Sequence, residues 1–296
     1  MELEKLITET RNSNTMDLDQ LSIKDVVKIM NEEDKKVPLA IESEIDKITE
    51  VIEKTIQAFN KDGRLIYIGA GTSGRLGILD AAECVPTFGV ESTMVQGLIA
   101  GGEEAMTVAI EGAEDSLILG EEDLKHIDLS SNDMVIGIAA SGRTPYVIGG
   151  LDYANEIGAS TASISCNKNS ATSEHAQIAI EIDAGPEILT GSTRLKAGTS
   201  QKLVLNMIST GAMIGIGKVY KNLMVDVKPT NLKLIERSKK IIMEATGCSH
   251  DAASDYFERS EQDVKLAIVM LLTNSPKRES EEKLIKNAGF VRKCLI

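Results

Sequence analysis

The stretch LIYIGAGTSGRLGILDAAE, residues 65–83, decides how the rest of the chain is read. Leu65, Ile66, Tyr67 and Ile68 form a short apolar run between Asp62-Gly63 and Gly69-Ala70-Gly71, which predicts a buried parallel strand. Thr72 and Ser73 stand at the expected N-cap of a helix that carries Leu76, Leu79 and Ala82 at helical spacing. A strand–loop–helix turn of this kind aims backbone N–H groups and a helix dipole at one point, which suits a phosphate or another small anion. Gly69 to Gly74 also fits G-x-G-x-x-G, but the acidic residue expected at the end of the second strand to hold a dinucleotide ribose is not evident within Thr93 to Gly97. The hydroxyls of Thr72 and Ser73 favour a small phosphate ester, and the alternative is a tight turn that only packs a helix on a sheet.

Working outward, the pattern repeats. Residues 92–97, 134–138, 162–166 and 177–182 read as further strands, separated by segments long enough for crossovers. The expected fold is α/β, a doubly wound parallel five-stranded sheet with its site at the strands' carboxyl ends. After the third strand, Ser141, Gly142, Arg143 and Thr144 repeat the hydroxyl-and-glycine logic, and Pro145 suits the first turn of a helix. A helix over 103–119 would set Met106, Ile110, Ala113 and Leu117 on one face, with Glu114 ~65° from its centre at ~100° per residue. That placement makes Glu114 either a rim residue or a group held beside a cleft.

The amino-terminal 21 residues are polar and read as an extended arm. Ser22 caps a helix bearing Val26, Val27, Ile29 and Met30, with Asp25 as a weak capping box, and a second helix runs from about Pro38 to Phe59. Residues 185–202, GPEILTGSTRLKAGTSQK, mix hydroxyls, three cations and one carboxylate, a combination hard to explain as packing, and lead into a long helix through Leu205, Ile208, Met213 and Val219. A further helix is expected from Thr230 to Ala245, and three short helices follow, two of them separated at Asn274-Ser275-Pro276. The division expected is 1–61 for the arm and packing helices, 62–246 for the sheet domain, and 247–296 for a small helical unit.

A net charge of −13 disfavours nucleic acid and anionic membrane as partners, so no nucleic acid or membrane partner is expected and the anion site is local. With 42% hydrophobic residues and no Trp, the 296-residue chain has ample aliphatic core. No window has the length of a transmembrane helix, and Met1-Glu2-Leu3-Glu4-Lys5 lacks the regions of a signal peptide, so a cytoplasmic location is expected. Cys84, Cys166, Cys248 and Cys294 form no C-x-x-C pair, and His126, His175 and His250 lack metal-ligand spacing. The isoleucine-rich helix and the carboxyl-terminal unit offer enough apolar surface to predict a homodimer.

Together these loops resemble the sugar isomerase domain superfamily and, closely, the N-acetylmuramic acid 6-phosphate etherase family. The resemblance rests on Thr8-Glu9-Thr10-Arg11-Asn12, the Gly69 to Arg75 loop, Asp80-Ala81-Ala82-Glu83-Cys84, Ala100-Gly101-Gly102 with Glu114, and the 185–202 signature. The signature is shared with glucokinase regulatory protein, a much longer chain with two such domains. The resemblance implies removal of the D-lactyl ether from carbon 3 of a sugar 6-phosphate, without metal or organic cofactor. It implies Glu83 as proton donor and Glu114 as the second active-site residue, the base. Candidate substrate-binding residues are Thr72, Ser73, Ser141, Gly142, Arg143, Thr144, Glu187, Ser192 and Lys202. In an unbroken helix Glu83 would stand ~15 Å from a phosphate at that helix's own N-terminus. Three solutions stay open: a helix break near Asp80, a phosphate held mainly on residues 141–144, or a site shared between subunits. A non-catalytic sugar phosphate-binding regulator and an aldose-ketose isomerase are the competing functions.

Overall fold

The computed structural model describes residues 6–229 and 231–296. Five strands, β1 (Leu65–Gly69), β2 (Val95–Ile99), β3 (Met134–Ala139), β4 (Ser160–Ser165) and β5 (Ile178–Glu181), form one parallel sheet in the order β2-β1-β3-β4-β5. Leu65 lies opposite Val95 on one side and Met134 on the other. The chain leaves β1 for one edge and returns to the opposite side at β3, so the loops after β1 and β3 meet at the topological switch point, where ligands of open α/β sheets bind.

The helices are α1 (Ile23–Asp34), α2 (Lys36–Glu42), α3 (Ile45–Phe59), α4 (Gly71–Phe88), α5 (Leu117–His126), α6 (Pro145–Ile157), α7 (Ala171–Glu174) and α8 (Lys196–Gly215). Side-chain alternation divides the sheet's two faces. Ile66, Ile68 and Val135 pack with Leu124 of α5 and Tyr146, Val147 and Leu151 of α6. Tyr67 faces the other way, where a Cβ on Gly77 of α4 would lie 2.9 Å from its own Cβ. The glycines of the first loop serve this contact. A Cβ on Gly74 would meet the carbonyl oxygen of Gly69 at 2.7 Å, and one on Gly69 would meet the nitrogen of Gly74 at 2.8 Å. Gly71 differs, with φ +53° and open space where a Cβ would stand.

Packing groups the chain into two compact units, one made of the residues up to Ala81 with Thr93–Ser209, the other of Ala82–Ser92 with Thr210–Ile296. The second contains the hairpin of β6 (Val219–Tyr220) and β7 (Leu223–Met224), then α9 (Leu232–Thr246), α10 (His250–Arg259), α11 (Val264–Thr273) and α12 (Lys277–Lys286). Phe257, Val264 and Ile268 join Ile241 and Ile242 of α9 in its core. Among the described residues no helix is long and apolar enough to cross a membrane. Residues 1–5, which carry the reading against a signal peptide, lie outside the described residues, as does Thr230, the expected first residue of the helix observed as α9.

Several elements differ from expectation for identifiable reasons. Ser22 caps α1 as expected, accepting the N–H of Asp25 at 3.2 Å. The single helix over 38–59 is instead α2 and α3. The break falls at Glu44, whose buried carboxylate pairs with Lys168 at 2.5 Å and accepts the N–H of Glu181. The amino-terminal segment is no extended arm: it folds into short 3-10 turns docked by Asn12 Nδ2 to Pro186 O at 3.1 Å and Thr15 Oγ1 to Ile188 O at 2.9 Å. The helix over 103–119 does not form. Its place is taken by 3-10 turns at Glu103–Met106 and Ala113–Asp115, because Gly101, Gly102 and Gly112 adopt positive φ and α5 begins only after Ser116 caps it. The long helix α8 ends at Gly215, leaving Val219 in β6.

Candidate active site

The loop after β1 and the segment after β2 enclose a cavity of about 190 Å³, lined among others by Gly71, Arg75, Ala105, Ile110, Glu111 and Glu114. Glu114 reaches it from the 3-10 turn at Ala113–Asp115, so the helical face that placed it beside a cleft was the wrong geometry. Arg75, unremarked in the sequence reading, ties the two segments. Its Nε donates to Ala105 O at 3.1 Å and Met106 O at 3.0 Å, and its Nη2 donates to Ala105 O at 2.8 Å. These carbonyls end the Glu103–Met106 turn, and the planar guanidinium meets both with donors held in a fixed fork.

Thr72 and Ser73 begin α4, which starts at Gly71, so they are first-turn residues and not caps. Ser73 is buried and donates its hydroxyl to Gln201 Oε1 at 2.9 Å. Gln201 Nε2 is itself buried and has no hydrogen-bond partner among the described residues. The methyl of Thr72 lies 3.5 Å from where a Cβ on Gly198 would stand, so the first loop lies against the first turns of α8. The loop after β3 is shaped by Gly142, at φ +69°, where a Cβ would fall 2.2 Å from Ser170 Cβ. Ser141 Oγ accepts the N–H of Arg143 at 3.3 Å, Thr144 is the N-cap of α6, and Pro145 occupies its first turn. Asn167 holds this loop from behind, donating to Ala140 O at 3.1 Å and Ser141 O at 3.3 Å while bonding Thr8.

The 185–202 signature divides between structure and surface. Glu187 is almost fully buried and its carboxylate accepts the N–H groups of Lys196 and Ala197, both at 2.9 Å, capping α8. Burial raises its pKa above the ordinary range despite those two donors. With both oxygens engaged inside the fold, Glu187 supports the signature from within. Lys196 is buried against Glu33 at 2.8 Å and donates to Ala184 O at 2.8 Å. Ser192 is half-buried and Lys202 exposed. Glu83 is exposed and belongs to the second compact unit. Of the three solutions left open, a helix break near Asp80 is absent: α4 is continuous, and buried Asp80 accepts bonds within the fold from Tyr67 Oη, Asn206 Nδ2 and Ser209 Oγ.

Among the described residues no group of three or more His, Cys, Asp or Glu side chains could hold a metal ion. Cys166 is buried, which pushes its thiol up to about 12, so it stays protonated at neutral pH.

Comparison with known proteins gives a consistent picture. Residues 47–155 match the glucokinase regulatory protein N-terminal SIS domain family, and residues 120–210 match the SIS domain. N-acetylmuramic acid 6-phosphate etherase 2 of Enterococcus faecalis (strain ATCC 700802 / V583) is 65% identical over 295 residues, covering 100% of both chains. N-acetylmuramic acid 6-phosphate etherase of Bacillus cereus (strain AH187) is 64% identical over 293 residues, covering 99% of this chain and 100% of its own. Among solved structures, phosphoheptose isomerase from Neisseria gonorrhoeae superposes with a TM-score of 0.50 at 14% identity, over 64% of this chain and 98% of that one. That similarity is one of fold.

Proposed function

We infer from its membership of the N-acetylmuramic acid 6-phosphate etherase family, to which this chain belongs, that it cleaves the D-lactyl ether of N-acetylmuramic acid 6-phosphate to N-acetylglucosamine 6-phosphate and D-lactate. The observation that carries this reading is the 65% identity along the whole chain. The cavity lined by Gly71 and Glu114 supports it. Ring opening exposes an aldehyde at carbon 1, which acidifies the proton on carbon 2. Glu114 takes that proton, the carbon 2–carbon 3 double bond forms as the carbon 3–oxygen bond breaks, and Glu83 protonates the departing lactate oxygen. Water then adds a hydroxyl to carbon 3 and a proton to carbon 2. Two carboxyl groups in opposite protonation states suit this sequence. A second reading, a sugar phosphate-binding regulator without turnover, draws on the family match over residues 47–155. Incubation with substrate decides: the etherase releases D-lactate, whereas a regulator releases none and an isomerase converts hexose phosphates without lactate.

Phosphate recognition is assigned to the loops after β1 and β3, with Thr72 and Ser73 on one side and Ser141, Gly142, Arg143 and Thr144 on the other. They adjoin at the switch point because β1 and β3 are neighbours. Ser192 and Lys202 contribute from the signature. Ser141→Ala is expected to weaken binding of the phosphorylated sugar by about 1.5 to 3 kcal/mol, the range of a charge-assisted hydrogen bond, and to leave the dephosphorylated sugar unaffected. Equal losses on both would place Ser141 outside phosphate recognition.

A homodimer is part of the same reading. Ile23 is 78% exposed and Leu39 68%, with Val27 and Ile45 also exposed, an unusual density of bare aliphatic side chains on α1 to α3. Such a dimer gives Glu83 a second route to substrate, across the subunit boundary. Light scattering at micromolar concentration should give twice the chain mass, and a monomer would remove that route. The reaction belongs in the cytoplasm, where charge retains sugar phosphates.

A further inference from the structure

We propose that Arg75 recognises the carboxylate of the D-lactyl group, making it a specificity-determining residue of the etherase reaction inferred above, on which the proposal rests. Arg75 lines the same cavity as Gly71 and Glu114, and its carbonyl contacts use only Nε and one side of Nη2. Among the described residues Nη1 makes no hydrogen bond and no carboxylate pairs with the guanidinium. A permanent cation is therefore held in place at a cavity wall with donors to spare. The other charged residues that line the cavity are Glu111 and Glu114, set among small and aliphatic side chains.

The substrate chemistry supplies the missing anion. A D-lactyl ether carries a carboxylate one carbon from the ether oxygen, so when Glu114 lies near carbon 2 that carboxylate approaches a group that must itself be negative to act as base. Like charges in one site oppose each other unless a cation separates them. The free edge of Arg75 offers two parallel N–H donors, the arrangement that binds a carboxylate with defined orientation. Its two carbonyl contacts fix the position of that edge, so little ordering remains to be done on binding. The product N-acetylglucosamine 6-phosphate lacks the carboxylate, so the contact is lost when lactate departs and favours release of the sugar.

The experiment compares kcat/KM for N-acetylmuramic acid 6-phosphate and for its lactyl amide, using the full-length wild type, Arg75→Gln and Arg75→Lys, with binding of N-acetylglucosamine 6-phosphate measured alongside. The wild type should prefer the acid by about 10- to 100-fold, as expected for a charge-assisted pair. Arg75→Gln should abolish that preference by slowing the acid alone, with product binding unchanged, and Arg75→Lys should restore part of it. Equal loss on both substrates would reduce Arg75 to a tie for residues 105–106 and overturn the proposal. Wild-type indifference between acid and amide would overturn it without any variant having to fold. Lactate release from neither substrate by the wild type would instead defeat the etherase reading itself.

Discussion

Lys196→Met is expected to cost this fold about 3 to 5 kcal/mol, because it strands the carboxylate of Glu33 in the interior. Both side chains are at most 4% exposed, and the Nζ–Oε2 distance is 2.8 Å. Glu33 also accepts from Lys36 at 2.7 Å and Asn14 at 3.1 Å. Burial alone would raise its pKa, but the bonds from Lys196, Lys36 and Asn14 outweigh it and hold the carboxyl down at about 2. A depressed carboxylate contributes stability that is present above its unfolded value of 4.5 and is lost as pH falls towards about 2. The shift corresponds to about 3 kcal/mol, a large share of the ~5 to 15 kcal/mol that holds a typical domain. Denaturant titrations should show wild-type stability declining through that window, while Glu33→Gln starts lower at pH 7 and declines less. The double variant Glu33→Leu/Lys196→Met should lose less than the two single changes added together. Additive losses would mean that the two groups do not act as a pair.

This pair also explains where the sequence was legible and where it was not. The strands were readable because each is a short aliphatic run punctuated by small or turn-forming residues, and a buried parallel strand has few other ways to be written. That the strands run parallel followed from the lengths between them. The signature was harder. Its charges looked like ligand chemistry, yet Lys196 meets Glu33 and Glu187 meets the N–H groups at the start of α8. The partner of Lys196 lies 163 positions away on α1, and no local pattern announces it. The amino-terminal segment was misjudged for the same reason, since polar residues without periodicity can be ordered by side-chain bonds to a distant loop, as Asn12 and Thr15 are.

Glu114 shows the opposite error, a cavity-lining residue reached through a wrong element. Met106, Ile110, Ala113 and Leu117 recur at helical spacing by coincidence, while Gly101, Gly102 and Gly112 hold the segment in turns that no continuous helix can include. The visible clue was the three glycines around Glu103 and Glu111, which a periodicity count ignores. Arg75 had a weaker signal: a lone cation directly after a glycine turn, whose carbonyl partners become apparent only once the turns at 103–115 are folded.

Glu114→Gln should abolish both lactate release and exchange of the carbon 2 proton with deuterated solvent, if Glu114 is the base. Glu83→Gln is expected to behave differently. Without the acid, departure of lactate is slowed by about 10² to 10⁴, the usual contribution of general acid–base catalysis. Proton removal at carbon 2 can still occur and reverse, so unreacted substrate should gain deuterium while product accumulates slowly. The two variants are therefore separated by an exchange measurement that overall rate alone cannot provide. Both carboxyls are exposed and neither forms an ion pair within the described residues, so the substitutions carry little stability cost of their own. Binding of N-acetylglucosamine 6-phosphate by each variant confirms that the site is intact. If Glu83→Gln loses exchange and Glu114→Gln keeps it, the base and the acid are interchanged. Lactate release near the wild-type rate in both variants would remove the two carboxylates from the reaction, and with them the elimination route proposed for it.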